Sequence, residues 1–355
     1  MVSVYVGSTK GYSGKNLTVM GIGQRFLKDG LKVGYFKPFG RLPVKIEGML
    51  TDKDAWFIHR VLMLKDPVEM ICPVVLTQDL MVEGCRTGVQ GLQEKVLDAF
   101  ESISKGKDVV LVGGAGTIES GGFLDICGFD LIEKLNARVL LVDHYEKEFY
   151  LDAVLDVHGR LGERLLGVIL NNVQAGYVEI IQDMIIPLFE RKGIHVFGVL
   201  PNDGILGSVM IADIVEALAG DVLCCRNKTD SLIEHFLIGG MQVDRALEYI
   251  IKTRNNAVIV GGDRADIHLA AIEATTQCLI LTGNLYPNEI VVSRAEMRGI
   301  PIVVVRDDTY SVAKKVEYLS RKLRLREKEK VYCGIRLIEE KVDFKRLYQA
   351  LGIVV

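Results

Sequence analysis

The residues best suited to chemistry form a glycine-rich turn near the amino terminus. An apolar segment at residues 2–6 leads into the stretch GSTKGYSGKN at residues 7–16. Small residues allow successive backbone N–H groups to point inward, and a following helix adds positive potential from its first turn. Lys15 would supply a point charge for the outer phosphates of a ligand. We therefore predict an anion or nucleotide site formed by Lys10, Gly11, Ser13, Gly14, Lys15 and Asn16.

The turn departs from the general phosphate-binding pattern, GxxxxGK[ST], at two positions. Thr9 stands where the pattern has its first glycine, and Asn16 stands where it has a hydroxyl residue. That hydroxyl normally ligates Mg²⁺, for which an Asn carbonyl oxygen is a weaker ligand. The turn is more similar to the KGGxGK[ST] variant of partition-type ATPases, with Lys10 as the extra lysine and Tyr12 in place of a glycine. Phosphate binding is therefore better supported than phosphate hydrolysis, and a glycine turn that binds nothing is the alternative.

A second group of polar residues follows two later apolar segments. GGDRAD occupies residues 261–266, and LTGN occupies residues 281–284. We predict a ligand loop in which the Arg264 guanidinium pairs with an anionic group, and its residues are Asp263, Arg264, Asp266 and Asn284. The carboxyl ends of parallel strands meet at one edge of a sheet, where ligands collect in open α/β folds. The alternative is a helix start capped by Asp263, with Arg264 and Asp266 in local ion pairs.

Two series of alternating strands and helices must position these residues. Short β-branched runs alternate with amphipathic stretches over residues 1–220, and a shorter series follows a polar break at 220–235. Several runs are apolar without alternation, as expected of strands that are covered on both faces. The predicted strands are 2–6, 32–36, 109–112, 138–142, 166–170, 195–199, 257–260, 278–282 and 302–305. The predicted helices include 16–28, 53–64, 93–104, 177–192, 243–252, 265–275, 289–298 and 311–323.

This pattern predicts an α/β fold with two domains. The first, at residues 1–222, is a P-loop-type parallel sheet with flanking helices. The second, at 232–325, is a smaller α/β domain, and residues 326–355 form a helical tail. A chain of 355 residues is long enough for two domains of ordinary size.

Composition excludes several classes of function. The net charge of -3 argues against nucleic acid or an anionic membrane as the main partner. No apolar run reaches the roughly 18 residues of a membrane span, and the first residues lack the pattern of a signal peptide. The seven cysteines have no zinc-site or CxxC spacing, which indicates free thiols in a reducing compartment. We therefore expect a cytoplasmic protein with neither a membrane nor a nucleic acid as partner.

Several further motifs resemble those of dethiobiotin synthetases. They are YFKP at 35–38, VLVGGAG at 110–116, GVILN at 167–171 and GVLP at 198–201. The closer resemblance is to the dethiobiotin-synthetase-like N-terminal region of phosphotransacetylases that carry a DRTGG domain. TDKD at 51–54, ICPVVLT at 71–77 and the two segments of the predicted ligand loop carry this resemblance, which covers roughly residues 1–330. It implies a P-loop-type domain followed by a DRTGG-like domain.

The resemblance also implies roles for single residues. Lys15 would meet phosphates as one catalytic lysine, and Lys37 would lie near the outer phosphate or the acceptor as a second. Asn171 would touch the base of ATP or GTP. Asp54 would face a metal ion.

Two departures from the family pattern affect that metal ion. Gly113 replaces a glutamate that ligates Mg²⁺ in the synthetases, and Asn16 replaces the hydroxyl of the loop. Only Asp54 remains of three expected positions, whereas Mg²⁺ requires nearly octahedral oxygen ligation. A complete Mg²⁺ site is therefore not expected, and phosphoryl transfer depends on that ion.

We expect a regulatory protein that senses a nucleotide or another phosphorylated small molecule and transmits this through its second domain as a homo-oligomer. It would resemble the N-terminal part of phosphotransacetylase and, ending at Val355, would lack the acetyltransferase domain. One alternative is an enzyme, either an ATP-dependent ligase of the dethiobiotin or cobyrinate amidation type or a weak nucleotide hydrolase. Another is a scaffold for a separate acetyltransferase chain.

Overall fold

The computed structural model describes residues 1–144, 151–274, 276–321 and 327–354. The chain divides into two compact units, of which the first is Met1–Asn202 with Leu325–Val355 and the second is Asp203–Arg324. Each unit contains a mainly parallel sheet with helices, so the predicted α/β class is confirmed.

The strands are β1 (Val2–Gly7), β2 (Val33–Phe36), β3 (Phe39–Gly40), β4 (Pro43–Ile46), β5 (Met49–Asp52), β6 (Val74–Val75), β7 (Val109–Gly113), β8 (Arg138–His144), β9 (Leu165–Val173), β10 (His195–Pro201), β11 (Val209–Met210), β12 (Asp221–Val222), β13 (Leu232–Ile233), β14 (His235–Ile238), β15 (Asn256–Gly261), β16 (Cys278–Thr282) and β17 (Ile302–Val304). The helices are α1 (Lys15–Lys28), α2 (Lys53–Val61), α3 (Val68–Ile71), α4 (Gln78–Arg86), α5 (Leu92–Ser104), α6 (Gly128–Lys134), α7 (Leu151–Leu161), α8 (Val178–Ile180), α9 (Ile186–Arg191), α10 (Gly204–Gly207), α11 (Ile211–Leu218), α12 (Val243–Lys252), α13 (Ala265–Glu273), α14 (Glu289–Arg298), α15 (Thr309–Arg321), α16 (Lys328–Lys341) and α17 (Phe344–Leu351).

The first unit is built on a six-stranded parallel sheet in the order β10-β9-β8-β1-β7-β2. All five residues of β7 are buried, as are five of the six residues of β1. This explains their mainly apolar sequences, because helices cover both faces of such a sheet. The chain leaves β1 toward β2 on one side and later returns to β8 on the other. The turn after β1 therefore lies at the point where the strand order reverses, where open α/β sheets form a crevice.

The second unit is built on a five-stranded sheet in the order β12-β17-β16-β15-β14. Its strands are parallel except β12, which runs antiparallel to β17. The carboxyl ends of β15 and β16 are adjacent, as predicted for the two segments of the ligand loop. Buried aliphatic residues on both sides of the sheet form its core.

The division between the units differs from the boundary that we expected at residue 222. Strand β11 pairs with β13, and β12 pairs with β17, so residues 203–222 belong to the second unit. These two strands have only two residues each, which is too short to produce a periodic signal in the sequence.

The expected tail is part of the first unit. Helix α16 packs along α1, where Gly21 faces Ile338. In α17, the Arg346 guanidinium binds both carboxylate oxygens of Glu190 at 2.8 Å. Residues 322–326, which include the end of the helix predicted at 311–323, lie outside the described residues. No helix among those that are described combines the length and the apolar composition needed to cross a membrane.

We predict that Gly21→Ala destabilises the protein, although alanine normally favours a helix. An added methyl group would lie only 2.5–2.7 Å from three side-chain carbons of Ile338, beside the backbone of α16. Overpacking of this kind costs about 1–3 kcal/mol. The matched control is Gly159→Ala in α7, where no atom lies within 4 Å of the added group. This control should raise the free energy of unfolding by about 0.5–1 kcal/mol. Urea unfolding of both variants measures the difference, and equal stabilisation of both would contradict the contact.

Candidate functional site

The turn between β1 and α1 depends on a glycine immediately before the helix. Gly14 has a φ of 96°, which favours glycine over residues with a side chain. A Cβ atom at this position would also lie 2.2 Å from the amide nitrogen of Asn171. Both the backbone conformation and the available space therefore require glycine, as the predicted loop assumes.

The Lys15 ammonium group is turned inward and buried, with 9% of the residue exposed. Its Nζ donates to the Ser8 hydroxyl and to the carbonyl oxygen of Gly116, each at 2.6 Å. Burial lowers the pKa of Lys15 to about 8, an effect that Asp143 opposes and that nearby positive charges reinforce. The lysine thus carries a desolvated charge whose hydrogen-bond acceptors are neutral oxygens.

Asp143, at the carboxyl end of β8, is the ionisable group that opposes this loss of charge. Its Oδ1 accepts hydrogen bonds from the backbone N–H and the hydroxyl of Thr9, at 3.0 and 2.9 Å. Its Oδ2 is buried without a hydrogen-bond partner among the described residues. Burial raises the pKa of Asp143, because the hydrogen bonds from Thr9 and the charges of Lys15 and Lys10 offset desolvation only in part.

Asp143 is not among the residues predicted from the sequence, although its position carries a usable signal. The residue follows an uninterrupted apolar strand and therefore lies at the carboxyl edge of the predicted sheet, where sites form.

Side-chain hydrogen bonds fix the remainder of the turn. The Lys10 carbonyl accepts from the hydroxyls of Ser8 and Ser13. The Asn171 amide nitrogen donates to the Ser13 carbonyl at 3.0 Å. The structure therefore brings Asn171 to the predicted loop, where it contacts the backbone, and its contact with a base stays a prediction.

Two residues at the tip of the turn are exposed. Gly11 has no atom within 4 Å of an added Cβ, and Tyr12 is 61% exposed. Tyr12 has a φ of 59°, in the left-handed region. This conformation explains why the partition-type pattern has glycine at that position.

Lys37 lies in a second buried cluster close to the turn. Its ammonium donates to Asp52 Oδ1 at 2.8 Å, in an ion pair whose carboxylate is fully buried. Asp52 also accepts backbone hydrogen bonds from Leu42 and from Ala55 in the first turn of α2. Burial raises the pKa of Asp52, but Lys37 and these backbone donors outweigh it and leave the pKa below its usual value. The lysine predicted to meet an outer phosphate is therefore held by a saturated carboxylate.

The positions expected to hold a metal are already engaged with neighbouring groups. The Asn16 amide nitrogen donates to Asp54 Oδ2 at 3.1 Å. A side chain on Gly113 would begin 2.9 Å from the Tyr35 hydroxyl, which is buried and has no described hydrogen-bond partner. Within the described ranges, no three His, Cys, Asp or Glu residues cluster as metal ligands would. The hydrogen bond between Asn16 and Asp54 would therefore have to open before either side chain could ligate a Mg²⁺ ion.

In the second unit, the structure brings the two segments of the predicted ligand loop together. The Gly262 N–H donates to the Thr282 carbonyl at 3.2 Å. Arg264 forms two hydrogen bonds of 3.0 Å with Asp266, which is the local ion pair of the alternative interpretation. Asn284 has a φ of 56° in the turn after β16. Asp263, in the turn after β15, is exposed.

Two protein-family profiles match this chain, one over most of the first unit and one within the second. The profile of an AAA domain family, which is P-loop and dethiobiotin-synthetase-like, matches residues 3–209, more than half of the chain. The chain belongs to this AAA domain family. The profile of the DRTGG domain matches residues 213–319, within the second unit. The resemblance inferred from the sequence is thereby confirmed.

Individual relatives match the chain at low identity. The phosphate acetyltransferase of Synechocystis sp. is 23% identical over 99% of this chain and 52% of its own length. The ATP-dependent dethiobiotin synthetase of Thermodesulfovibrio yellowstonii is 29% identical over 29% of this chain and 44% of its own. The AAA-family chain thus spans about half the length of the phosphate acetyltransferase that it matches.

One of the similar solved structures is the cell division protein MinD of Aquifex aeolicus. It covers 58% of this chain and 84% of its own chain, with 19% sequence identity and a TM-score of 0.35.

We predict that Gly113→Ala destabilises this protein through its contact with Tyr35. Pushing a methyl group against the hydroxyl should cost about 1–3 kcal/mol. Tyr35→Phe removes the obstructing oxygen. In that background, Gly113→Ala should therefore lower the free energy of unfolding much less than it does in the unaltered protein. Tyr5→Phe is the matched control, at another buried tyrosine of the sheet. In this background, Gly113→Ala should lower the free energy of unfolding as much as it does in the unaltered protein. A double-mutant cycle by urea unfolding measures the coupling, and independent effects of the Gly113 and Tyr35 changes would exclude the contact.

Proposed function

We propose that this chain is a regulatory protein that binds a nucleotide or another phosphorylated small molecule at Lys15. The observation that carries the proposal is a buried ammonium group with no ion pair to a described carboxylate. A buried charge that meets only neutral oxygens is costly, and an anion can relieve this cost. Phosphate oxygens would accept hydrogen bonds from Lys15 in place of the Gly116 carbonyl and the Ser8 hydroxyl.

Selection among anions is proposed to come from the rest of the turn. Backbone N–H groups of residues 11–15 and the amino terminus of α1 favour a phosphate group. ATP or GTP is the proposed ligand, since the matched family is of the P-loop type. Because Asn16 and Asp54 bond to each other, we propose binding that depends little on Mg²⁺.

The second unit is proposed to transmit the bound state. Its ligand loop would respond through Arg264, which must release Asp266 before it can pair with another anion. The exposed Asn284 and Asp263 would complete that loop. We further propose that the protein acts in the cytoplasm as a homo-oligomer.

A partnership with a separate acetyltransferase chain is a second candidate. It is favoured by the match of 99% of this chain to about half of a phosphate acetyltransferase. Co-purification of such an enzyme with the tagged chain from cell extract tests this candidate.

For the proposed site, isothermal titration calorimetry should detect ATP or GTP with similar affinity with and without Mg²⁺. Lys15→Ala should remove the measurable heat, because each charge-assisted hydrogen bond contributes about 1.5–3 kcal/mol and its loss lowers affinity at least about tenfold. Lys192→Ala, at an exposed lysine after α9, is the matched control and should bind as the unaltered protein does.

Absence of heat with every nucleotide would contradict the proposal. Strict dependence on Mg²⁺ with ADP release in the presence of a small carboxylate or amine would instead favour the ATP-dependent ligase.

A further inference from the structure

Arg41 lies between β3 and β4, and its side chain reaches the surroundings of Lys15. The guanidinium Nη1 would lie 3.1 Å from a Cβ atom added to Gly116. The carbonyl oxygen of the same glycine accepts a hydrogen bond from the Lys15 ammonium at 2.6 Å. Burial lowers the pKa of Lys15 most, and the positive charges of Lys37 and Arg41 lower it further. Arg41 is therefore close enough to act on a ligand that contacts Lys15.

A buried carboxylate holds the backbone of residue 41 in place. Asp52 Oδ2 accepts a hydrogen bond from the Arg41 N–H at 2.9 Å, while Oδ1 accepts from the Lys37 ammonium at 2.8 Å. Asp52 is fully buried, whereas Arg41 is an exposed residue. The same carboxylate thus positions Lys37 inside the protein and Arg41 on the solvent side of the crevice.

These three cations differ in what neutralises them. Lys37 forms an ion pair with Asp52, and Lys15 donates to two neutral oxygens. The Arg41 guanidinium has no hydrogen bond or ion pair with any residue in the described part of the chain. A guanidinium is a planar fork of N–H donors that matches two oxygens of a phosphate group. Arg41 is accordingly the cation of this group that can bind an anion without first releasing a carboxylate.

We propose that Arg41 recognises the outermost phosphate of the nucleotide bound at Lys15 and makes the site prefer a nucleoside triphosphate to a diphosphate. This inference rests on the proposed nucleotide function. The lysine of a phosphate-binding loop reaches the β- and γ-phosphates. From the solvent side of Gly116, Arg41 would add a contact to the γ-phosphate that ADP cannot make. Lys37, which the family resemblance assigned to the outer phosphate, is already paired with Asp52.

Isothermal titration calorimetry of the full chain with ATP and with ADP, both without Mg²⁺, tests the proposal. The unaltered protein should bind ATP more tightly than ADP. Arg41→Gln should lower the affinity for ATP at least about tenfold, because it removes a charge-assisted hydrogen bond, and should leave the affinity for ADP unchanged. Arg41→Lys keeps the charge but loses the planar fork, so its affinity for ATP should lie between the two.

The matched control is Arg60→Gln, which should bind both nucleotides as the unaltered protein does. Arg60 is also an exposed arginine and lies near the end of α2 that is remote from Asp52. Equal affinity for ATP and ADP, or equal affinity changes for both in Arg41→Gln, would overturn the role of Arg41 and leave binding at Lys15 intact. Absence of heat with both nucleotides would overturn the proposed function and this inference with it.

The position of the guanidinium has a test that needs no nucleotide. Arg41→Gln removes a positive charge near Lys15, so the pKa of Lys15 in the free protein should rise from about 8. NMR of ¹³C-labelled lysine side chains measures this pKa, which Arg60→Gln should leave unchanged. A pKa of Lys15 that is the same with and without the Arg41 charge would show that the guanidinium lies elsewhere and would overturn the proposal.

Discussion

The candidate site of the first unit depends on one buried positive charge, that of Lys15. The ammonium lies inside the turn after β1, where Ser8 and Gly116 accept its hydrogen bonds. Gly116 follows β7, so this cation joins the ends of two neighbouring strands. Its partners are neutral, and burial therefore lowers its pKa to about 8. An anion that enters the turn would contact a desolvated cation and accept hydrogen bonds from the N–H groups of the first turn of α1.

We propose that the groups around this cation serve binding more than phosphoryl transfer. Transfer requires positive charge, usually that of a metal, on the departing phosphoryl group. Here Lys37 is paired with Asp52, and Asp54 accepts a hydrogen bond from Asn16. Gly113 also has little room for the glutamate of the related synthetases, because a side chain there would begin 2.9 Å from the Tyr35 hydroxyl. These contacts support a sensor whose ligand is held without being consumed.

Much of this organisation could be predicted from sequence. Buried parallel strands have continuous apolar runs, so the sequence located the six strands of the first sheet and the turn after β1. Gly14 and Lys15 were recognisable because glycine and lysine have strict positional roles in such turns. The DRTGG-like second domain followed from the order of its motifs.

Other features depend on distant contacts that local patterns do not reveal. Asp143 meets Thr9 across more than 130 residues of sequence. Helix α16 begins within a charged segment, yet its later residue Ile338 is buried against Gly21. The Lys37–Asp52 ion pair forms only when the end of β2 and the start of α2 come together in the fold. Each of these is a consequence of tertiary packing, which a residue's immediate neighbours do not encode.

The most direct test of the central claim is the titration of Lys15 itself. NMR of ¹³C-labelled lysine side chains, assigned with Lys15→Arg, should show this ammonium titrating near pH 8 in the free protein, against an ordinary value of 10.5. Binding of ATP or GTP should raise this pKa, because a phosphate oxygen stabilises the protonated form. A lysine that titrates near 10.5 without ligand, or whose pKa does not change when the nucleotide binds, would contradict the account.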